Sequence, residues 1–194
     1  MDQVLVALAA SIALATALIT GGRLANLARV QLRRSSLLPL ALGAQIVVIS
    51  LLPGAAPGLH KVVHVATYGA LALFMWSNRR LPGLKLIASG AATNAAAIIA
   101  NGGVMPASAA ALARAGMPAD KGAEFANSAA LAAPKLSWLG DVFAIPASWP
   151  LSNVFSVGDL LIAIGLTITL HSCSQSALAR RPRQVSLDAR GRQA

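Results

Sequence analysis

Long apolar runs alternate with short polar breaks along the chain, and the runs are as long as bilayer-crossing helices. About 17 to 20 predominantly apolar residues suffice to cross the hydrocarbon core. Five stretches meet that length, at about 3–20, 37–53, 60–77, 84–101 and 156–173. The third is loaded at its start by His60, Lys61 and His64. The pattern predicts an all-α fold, a polytopic membrane helix bundle of about five transmembrane helices. Residues 1–173 read as a single membrane domain, with a long outer segment, 102–155, between the fourth and fifth spans. The tail, 174–194, is rich in Arg, Gln and Ser without an apolar period, and is expected to be disordered and cytoplasmic.

The breaks carry their own signals. Leu24, Leu27 and Val30 alternate with Arg23, Arg29 and Arg33 at helical spacing in 22–34, which fits either a short amphipathic helix on the membrane surface or an ordinary basic loop. The outer segment opens on Asn101-Gly102-Gly103-Val104-Met105-Pro106, a turn. An alanine-rich stretch from Ser108 to Arg114 and a piece from about Ala119 to Ala132 follow, both expected to be short helices. Some fifty residues of this kind bury little core of their own, so they are expected to cap the bundle.

Composition agrees with a membrane class. Of the 194 residues 56% are hydrophobic and 11% charged, against about 25% charged in soluble domains. The net charge of +10 sits in clusters between apolar runs and not among aromatics, which makes it a topology signal and excludes a nucleic-acid interface. Arg23, Arg29, Arg33 and Arg34, then Arg79, Arg80 and Lys85, then the arginines of the tail all fall on one side of a five-span chain. Lys61, Arg114, Lys121 and Lys135 fall on the other. The positive-inside rule then places the N-terminus outside and the C-terminus in the cytoplasm. The first apolar run lacks a basic leader and is followed by Arg23, so it reads as a retained helix and not a signal peptide.

Candidate chemistry is sparse. The lone Cys173 and the absence of Cys/His ligand spacing point to no metal and no cofactor. His60 and His64 share a helix face, but His171 lies on the opposite side in this topology, so interfacial histidines are the plainer reading. Gln45 and Asn94 are intramembrane polar groups suited to bonds between helices, and Gly90 with Ala91, Ala92 and Asn94 suggests close packing. Asp120, Lys121 and Glu124 read as a solvated loop face. The remaining acids of interest are Asp141 and Asp159, each preceded by glycine, in a chain with six Asp and Glu in total. Trp138, Pro146, Trp149 and Pro150 surround them, as at a membrane-surface turn.

Two resemblances follow from these motifs. GGRL at 21–24, NGGVMP at 101–106, GDVF at 140–143 and FSVGD at 155–159 resemble a bacterial membrane family of unknown function. Residues 138–165 are also similar to the end of lipoprotein signal peptidase, the type II signal peptidase, whose two catalytic Asp lie in V-V-D-F and F-N-x-A-D motifs. Gly140-Asp141-Val142-Phe143 and Phe155-Ser156-Val157-Gly158-Asp159 stand at those places, eighteen residues apart between the two Asp. That resemblance implies an aspartyl membrane peptidase of the bacterial inner membrane, acting at its outer face on a membrane-embedded peptide or lipoprotein. Asp141 and Asp159 would be catalytic, with Asn94, Asn101 and Ser156 as supporting polar groups. The chain departs from the family at Ala97 and Ile98, where its signature has Asp and Arg, and at Ser156, where it has Asn.

The residues also support a plainer account. Ser156 and Asp159 have the spacing of a capping box ahead of an apolar run, and Asp141 after glycine suits a turn. A non-enzymatic membrane scaffold, complex subunit or lipid-binding protein is the alternative function, with membrane lipids as its expected partners.

Overall fold

A computed structural model describes residues 3–47, 57–118 and 128–179. The long apolar runs are helices: α1 Gln3–Ile19, α3 Leu37–Ile46, α4 Pro57–Ser77, α5 Leu84–Ala100 and α7 Val157–Ser174. Shorter elements lie between them: α2 Leu24–Ala28, α6 Ala109–Arg114, and strands β1 Met105–Pro106, β2 Ser128–Ala129, β3 Asp141–Ile145 and β4 Asn153–Ser156. The chain is mostly helical with a small sheet component, which corrects the all-α expectation in the outer segment.

One described helix, α7, is long and apolar enough to cross a membrane; the apolar stretches Leu5–Ile19, Val65–Ser77 and Leu84–Ala100 are shorter. The second expected span is described as a helix only over its first ten residues. At about 1.5 Å per residue that piece falls well short of a hydrocarbon core, and 48–53, together with Asp120, Lys121, Glu124 and 180–194, lies outside the described residues. So do the side chains of Gln45, His60, Lys61 and His64.

The amphipathic segment at 22–34 is helical over five residues only. Of the expected helix at 119–132, the described part is not helical: Ser128 and Ala129 pair in parallel with Met105 and Pro106. The run Ala109–Arg114 is helical as expected, with the Ser108 side chain accepting from the Ala111 amide at its N-cap.

The packing centre is α7, flanked by α5 and α1. Glycines seven residues apart set the approach of α5 and α7. A Cβ built on Gly165 would lie 2.7 Å from the Gly83 carbonyl oxygen, and one on Gly90 would run into the Gly158 carbonyl oxygen and lie 2.9 Å from Ile162. Gly83 pairs with Gly165 and Gly90 with Gly158, so the helices run antiparallel with backbones nearly touching, the small-residue packing used where helices lack a hydrophobic drive to associate.

At the far end of α7, Arg23 N and Asn26 Nδ2 both donate to the Ser174 carbonyl at 3.0 Å, and Ala177 N donates to Thr20 O at 2.8 Å. Buried His171 spans the same junction, with Nε2 3.1 Å from Thr16 Oγ1 and Nδ1 2.8 Å from Ser176 Oγ. A Cβ on Gly22 would lie 2.6 Å from Ser174 Oγ, which accounts for a glycine in the GGRL motif.

Above α5 and α7 sits the cap. β3 and β4 form an antiparallel hairpin, and α6 packs on it through Ala107, Ala111, Leu112, Ala115 and Val154. A second cluster, Ala97, Met105 and Leu139, fixes the cap to the end of α5. Apolar burial in the cap is thus built from small side chains and completed by the bundle beneath it.

Candidate polar site at the cap–bundle junction

The end of α7 beneath the hairpin holds Asp159 in a buried polar network, and the other described acid, Asp141, is buried on the adjoining strand. Ser156 closes β4 and is the N-cap of α7. Its hydroxyl accepts from the Asp159 amide at 3.0 Å, and its own amide donates to Asp159 Oδ2 at 2.9 Å. That reciprocal pair is a capping box, with Asp in the place of the usual Glu. Asn94, from α5, donates through Nδ2 to Asp159 Oδ1 at 2.8 Å. The Ser156 hydroxyl lies 2.8 Å from both Asn94 Oδ1 and Asp159 Oδ2, and its single proton serves one at a time.

Asp141 arrives by strand pairing. It stands opposite Ser156 across the hairpin, whereas Phe143 stands opposite Phe155. Val142 is therefore an extra residue, a bulge that breaks the two-residue alternation of the strand. The consequence is that Asp141 faces inward and is fully buried, while Phe143 turns outward, 41% exposed, and stacks on Phe155 at 5.3 Å. The Asp141 carbonyl accepts from Ser108 N at 3.0 Å, tying the hairpin to the start of α6.

The glycine before each acid has the same physical cause. A Cβ on Gly140 would collide with the Pro106 carbonyl oxygen, and one on Gly158 with Asn94 Oδ1. Each Gly-Asp step thus marks a point where one backbone presses on another, with the acid carried into the junction behind it.

Of the five sequence-selected residues, three are bonded together here, Asn94, Ser156 and Asp159, and Asp141 stands opposite Ser156 in the hairpin register. Asn101 is not among them. Its Nδ2 donates to Ala97 O at 2.8 Å and to Lys135 O at 2.7 Å, and its Oδ1 accepts from Lys135 N at 2.8 Å. It pairs with the loop backbone as another strand would and ties 135 to the end of α5. Asn101→Ala is expected to cost about 1 kcal/mol, the net worth of such bonds at a partly exposed site. The loop at 128–139 should then be cut faster in limited proteolysis, with the bundle unaffected.

Asn78 was not selected from the sequence, yet it makes the equivalent clamp at the opposite end. Buried, it accepts from Arg33 N at 2.8 Å and donates to Arg33 O at 2.9 Å. The one available hint was an Asn directly before Arg79-Arg80 at the end of an apolar run.

Chemically, the cluster's strongest feature is the saturation of Asp159. Its carboxylate accepts from the Asn94 amide and the Ser156 amide, and from the Ser156 hydroxyl when that proton turns to it, filling up to three of the roughly four acceptor positions it offers, and the residue is 3% exposed. Among the described residues no group of three or more His, Cys, Asp or Glu is placed to hold a metal.

The chain belongs to a family of unknown function (DUF5317), which matches residues 29–171. That range holds the NGGVMP, GDVF and FSVGD motifs and the whole cluster. No curated protein and no solved structure matches the chain, and the expected similarity to the type II signal peptidase is not shown by them.

Proposed function

We propose that this member of the family is a multi-pass membrane protein of five spans, N-terminus outside and C-terminus in the cytoplasm. On this reading its outer cap is clamped by the Asn94–Ser156–Asp159 network, and it serves as a scaffold, complex subunit or lipid binder and not as an enzyme. What carries the reading is the apolar surface along the helices. Ile12 and Ile19 on α1, Leu40 and Leu42 on α3, Val62 and Val65 on α4, Ile99 on α5 and Ile164 on α7 are all exposed. Large apolar side chains exposed on every long helix need lipid or a partner to cover them. Trp138 and Trp149 stand 66% and 67% exposed on the cap, as aromatic residues do at a membrane–water interface.

The test is extraction and topology. After alkaline carbonate washing the protein should stay with the membrane pellet. Alkaline phosphatase inserted after Pro118 should be active outside, and a green fluorescent protein fused after Ala194 should fluoresce inside. Release by carbonate, or the reverse reporter pattern, would sink the proposal.

One observation favours a second reading, the signal-peptidase-like aspartyl peptidase: the hairpin register brings Asp141 to the residue that caps Asp159. Under that reading Asp141 and Asp159 divide the acid and base roles toward a membrane-embedded peptide or lipoprotein. Asp141→Asn and Asp159→Asn would then each abolish lipoprotein processing in folded protein. Processing that survives either change rules it out.

A further inference from the structure

Arg79 stands where three cavities adjoin, at the end of α4 and α5 away from the cap. Between the two helices runs a groove of about 560 Å³, walled by Tyr68, Leu71, Ala72 and Met75 on one side and Ala88 and Ala91 on the other. Arg79 and Lys85 border it at the turn that joins the helices. A second cavity of about 520 Å³ beside that turn is bordered by Arg79, Arg80 and Lys85. A third, of about 350 Å³, is bordered by Arg33, Arg34 and again Arg79, with Trp76 as its wall. Arg79 and Lys85 therefore border the apolar slot itself, and Arg80, Arg33 and Arg34 border the cavities that share Arg79 with it.

The guanidinium of Arg79 is held in place there. It stacks on the Trp76 ring 4.4 Å from the centroid and donates from Nη1 to the Trp76 carbonyl at 3.0 Å. The described residues contain just two carboxylates, Asp141 and Asp159, and both lie at the opposite end of α7. The charge balance at this mouth calls for an anion from outside the described chain. The apolar groove behind it calls for hydrocarbon.

We infer that the α4–α5 groove with its Arg79–Lys85 mouth binds an anionic phospholipid of the cytoplasmic leaflet, the phosphate at Arg79 and Lys85 and an acyl chain along Tyr68, Ala72 and Ala88. The inference rests on the membrane reading above. A basic pocket between spans at the cytoplasmic side is the arrangement that holds anionic head groups, and the groove volume lies in the range of ordinary ligand sites, roughly 300–1,000 Å³. The slot is preformed, so little ordering entropy opposes binding.

The experiment is native mass spectrometry of the full chain in neutral detergent, titrated with phosphatidylglycerol and with phosphatidylcholine of the same acyl chains. Phosphatidylglycerol should bind about tenfold more tightly or better, because two cations act on a net negative head group whereas the choline ammonium cancels that charge in phosphatidylcholine. Arg79→Gln with Lys85→Gln should bring the two lipids to near parity. Ala88→Phe, which fills the groove and keeps every cation, should weaken both lipids. Arg114→Gln, on the cap, should change nothing, and glycerol phosphate without acyl chains should fail to compete.

Equal binding of the two lipids by the wild type overturns the inference, as does a preference that survives the double substitution. Unchanged phosphatidylglycerol binding in Ala88→Phe, an equal loss in Arg114→Gln, or full competition by glycerol phosphate would point to mere surface charge or a free-phosphate site, and overturns it as well. Because lipid binding is read in detergent and membrane insertion by carbonate extraction, failure of one is distinguishable from failure of the other.

Discussion

Gly158→Ala loses about 3 kcal/mol of stability, enough to lower the unfolding midpoint of the detergent-solubilised protein by many degrees. Two terms compete. Alanine gains up to about 1 kcal/mol of helix propensity over glycine in a helix interior, and less at the second residue of α7. Against it, the new methyl would overlap Asn94 Oδ1 and sit 2.6 Å from the Gly90 carbonyl oxygen, which belongs to a backbone that cannot yield by rotating a side chain. Overpacking of this kind costs about 1–3 kcal/mol, and here it also pushes Asn94 away from Asp159. The clash wins.

Gly90→Ala should fall in the same range, since its methyl would meet the Gly158 carbonyl oxygen and Ile162. The double substitution should cost less than the sum, because the first already opens the gap that the second needs. Gly69→Ala is the control: nothing lies within 4 Å of its Cβ position on α4, so it should be neutral or gain up to about 1 kcal/mol. Thermal unfolding of the three single variants and the double in one detergent reads all of this. A Gly158→Ala protein as stable as Gly69→Ala would refute the packing described for α5 and α7.

The second large effect is at Asp159. Truncation to alanine strands the Ser156 amide, the Ser156 hydroxyl and the Asn94 amide group, all in a buried junction. At about 1–3 kcal/mol for each buried group left unpaired, partly relieved by the Ser156 proton turning to Asn94, the expected loss is about 4 kcal/mol. Asp159→Asn should be much milder, about 1 kcal/mol. If the Asn94 amide flips, its oxygen can accept from the new amide and its nitrogen can donate to Ser156 Oγ, which restores most of the network. The comparison separates roles: a clamp tolerates Asp159→Asn and fails with Asp159→Ala, whereas a catalytic carboxylate fails with both. The measurements are unfolding in detergent and protease sensitivity of the cap, which should loosen in Asp159→Ala alone.

Both effects fall on residues that motif reading had already selected, for a reason visible only in three dimensions. Asn101, Gly140, Ser156, Gly158 and Asp159 are the points where the cap, α5 and α7 touch. Glycine and short polar side chains recur there because backbones approach closely and their amides need partners. From the sequence the same residues fit a peptidase site as readily as a junction. The Ser156–Asp159 spacing did state the capping box, since that bond is local and depends only on a helix starting after Ser156. Asn94 joining it had no local signal and came only from the peptidase resemblance: that bond spans 65 residues and depends on Gly90 and Gly158 bringing two helices together.

Of the outer segment's expected helices, Ala109–Arg114 formed, whereas 128–132 is not helical and a strand hairpin at 141–156 was not foreseen. Alanine-rich sequence around a turn carries helix propensity, yet Val, Phe and Ile at 142–145 and 153–155 pair as strands once α6 covers one face. Nor does any periodicity announce the bulge at Val142, whose effect is to turn Asp141 inward while Phe143 faces out.

What the sequence determined by itself is the set of apolar runs, and with them the helices α1, α4, α5 and α7 to within a few residues. Hydrophobicity over such a length leaves the backbone little choice but to satisfy its own hydrogen bonds within each run. The tertiary structure alone decided which runs adjoin, that Asn94 bonds the Ser156–Asp159 capping box with Asp141 opposite Ser156, and that Asn101 is not among them. Those outcomes depend on contacts between residues far apart in the chain, and close approach at glycine is a property of pairs of helices that neither helix carries in its own sequence.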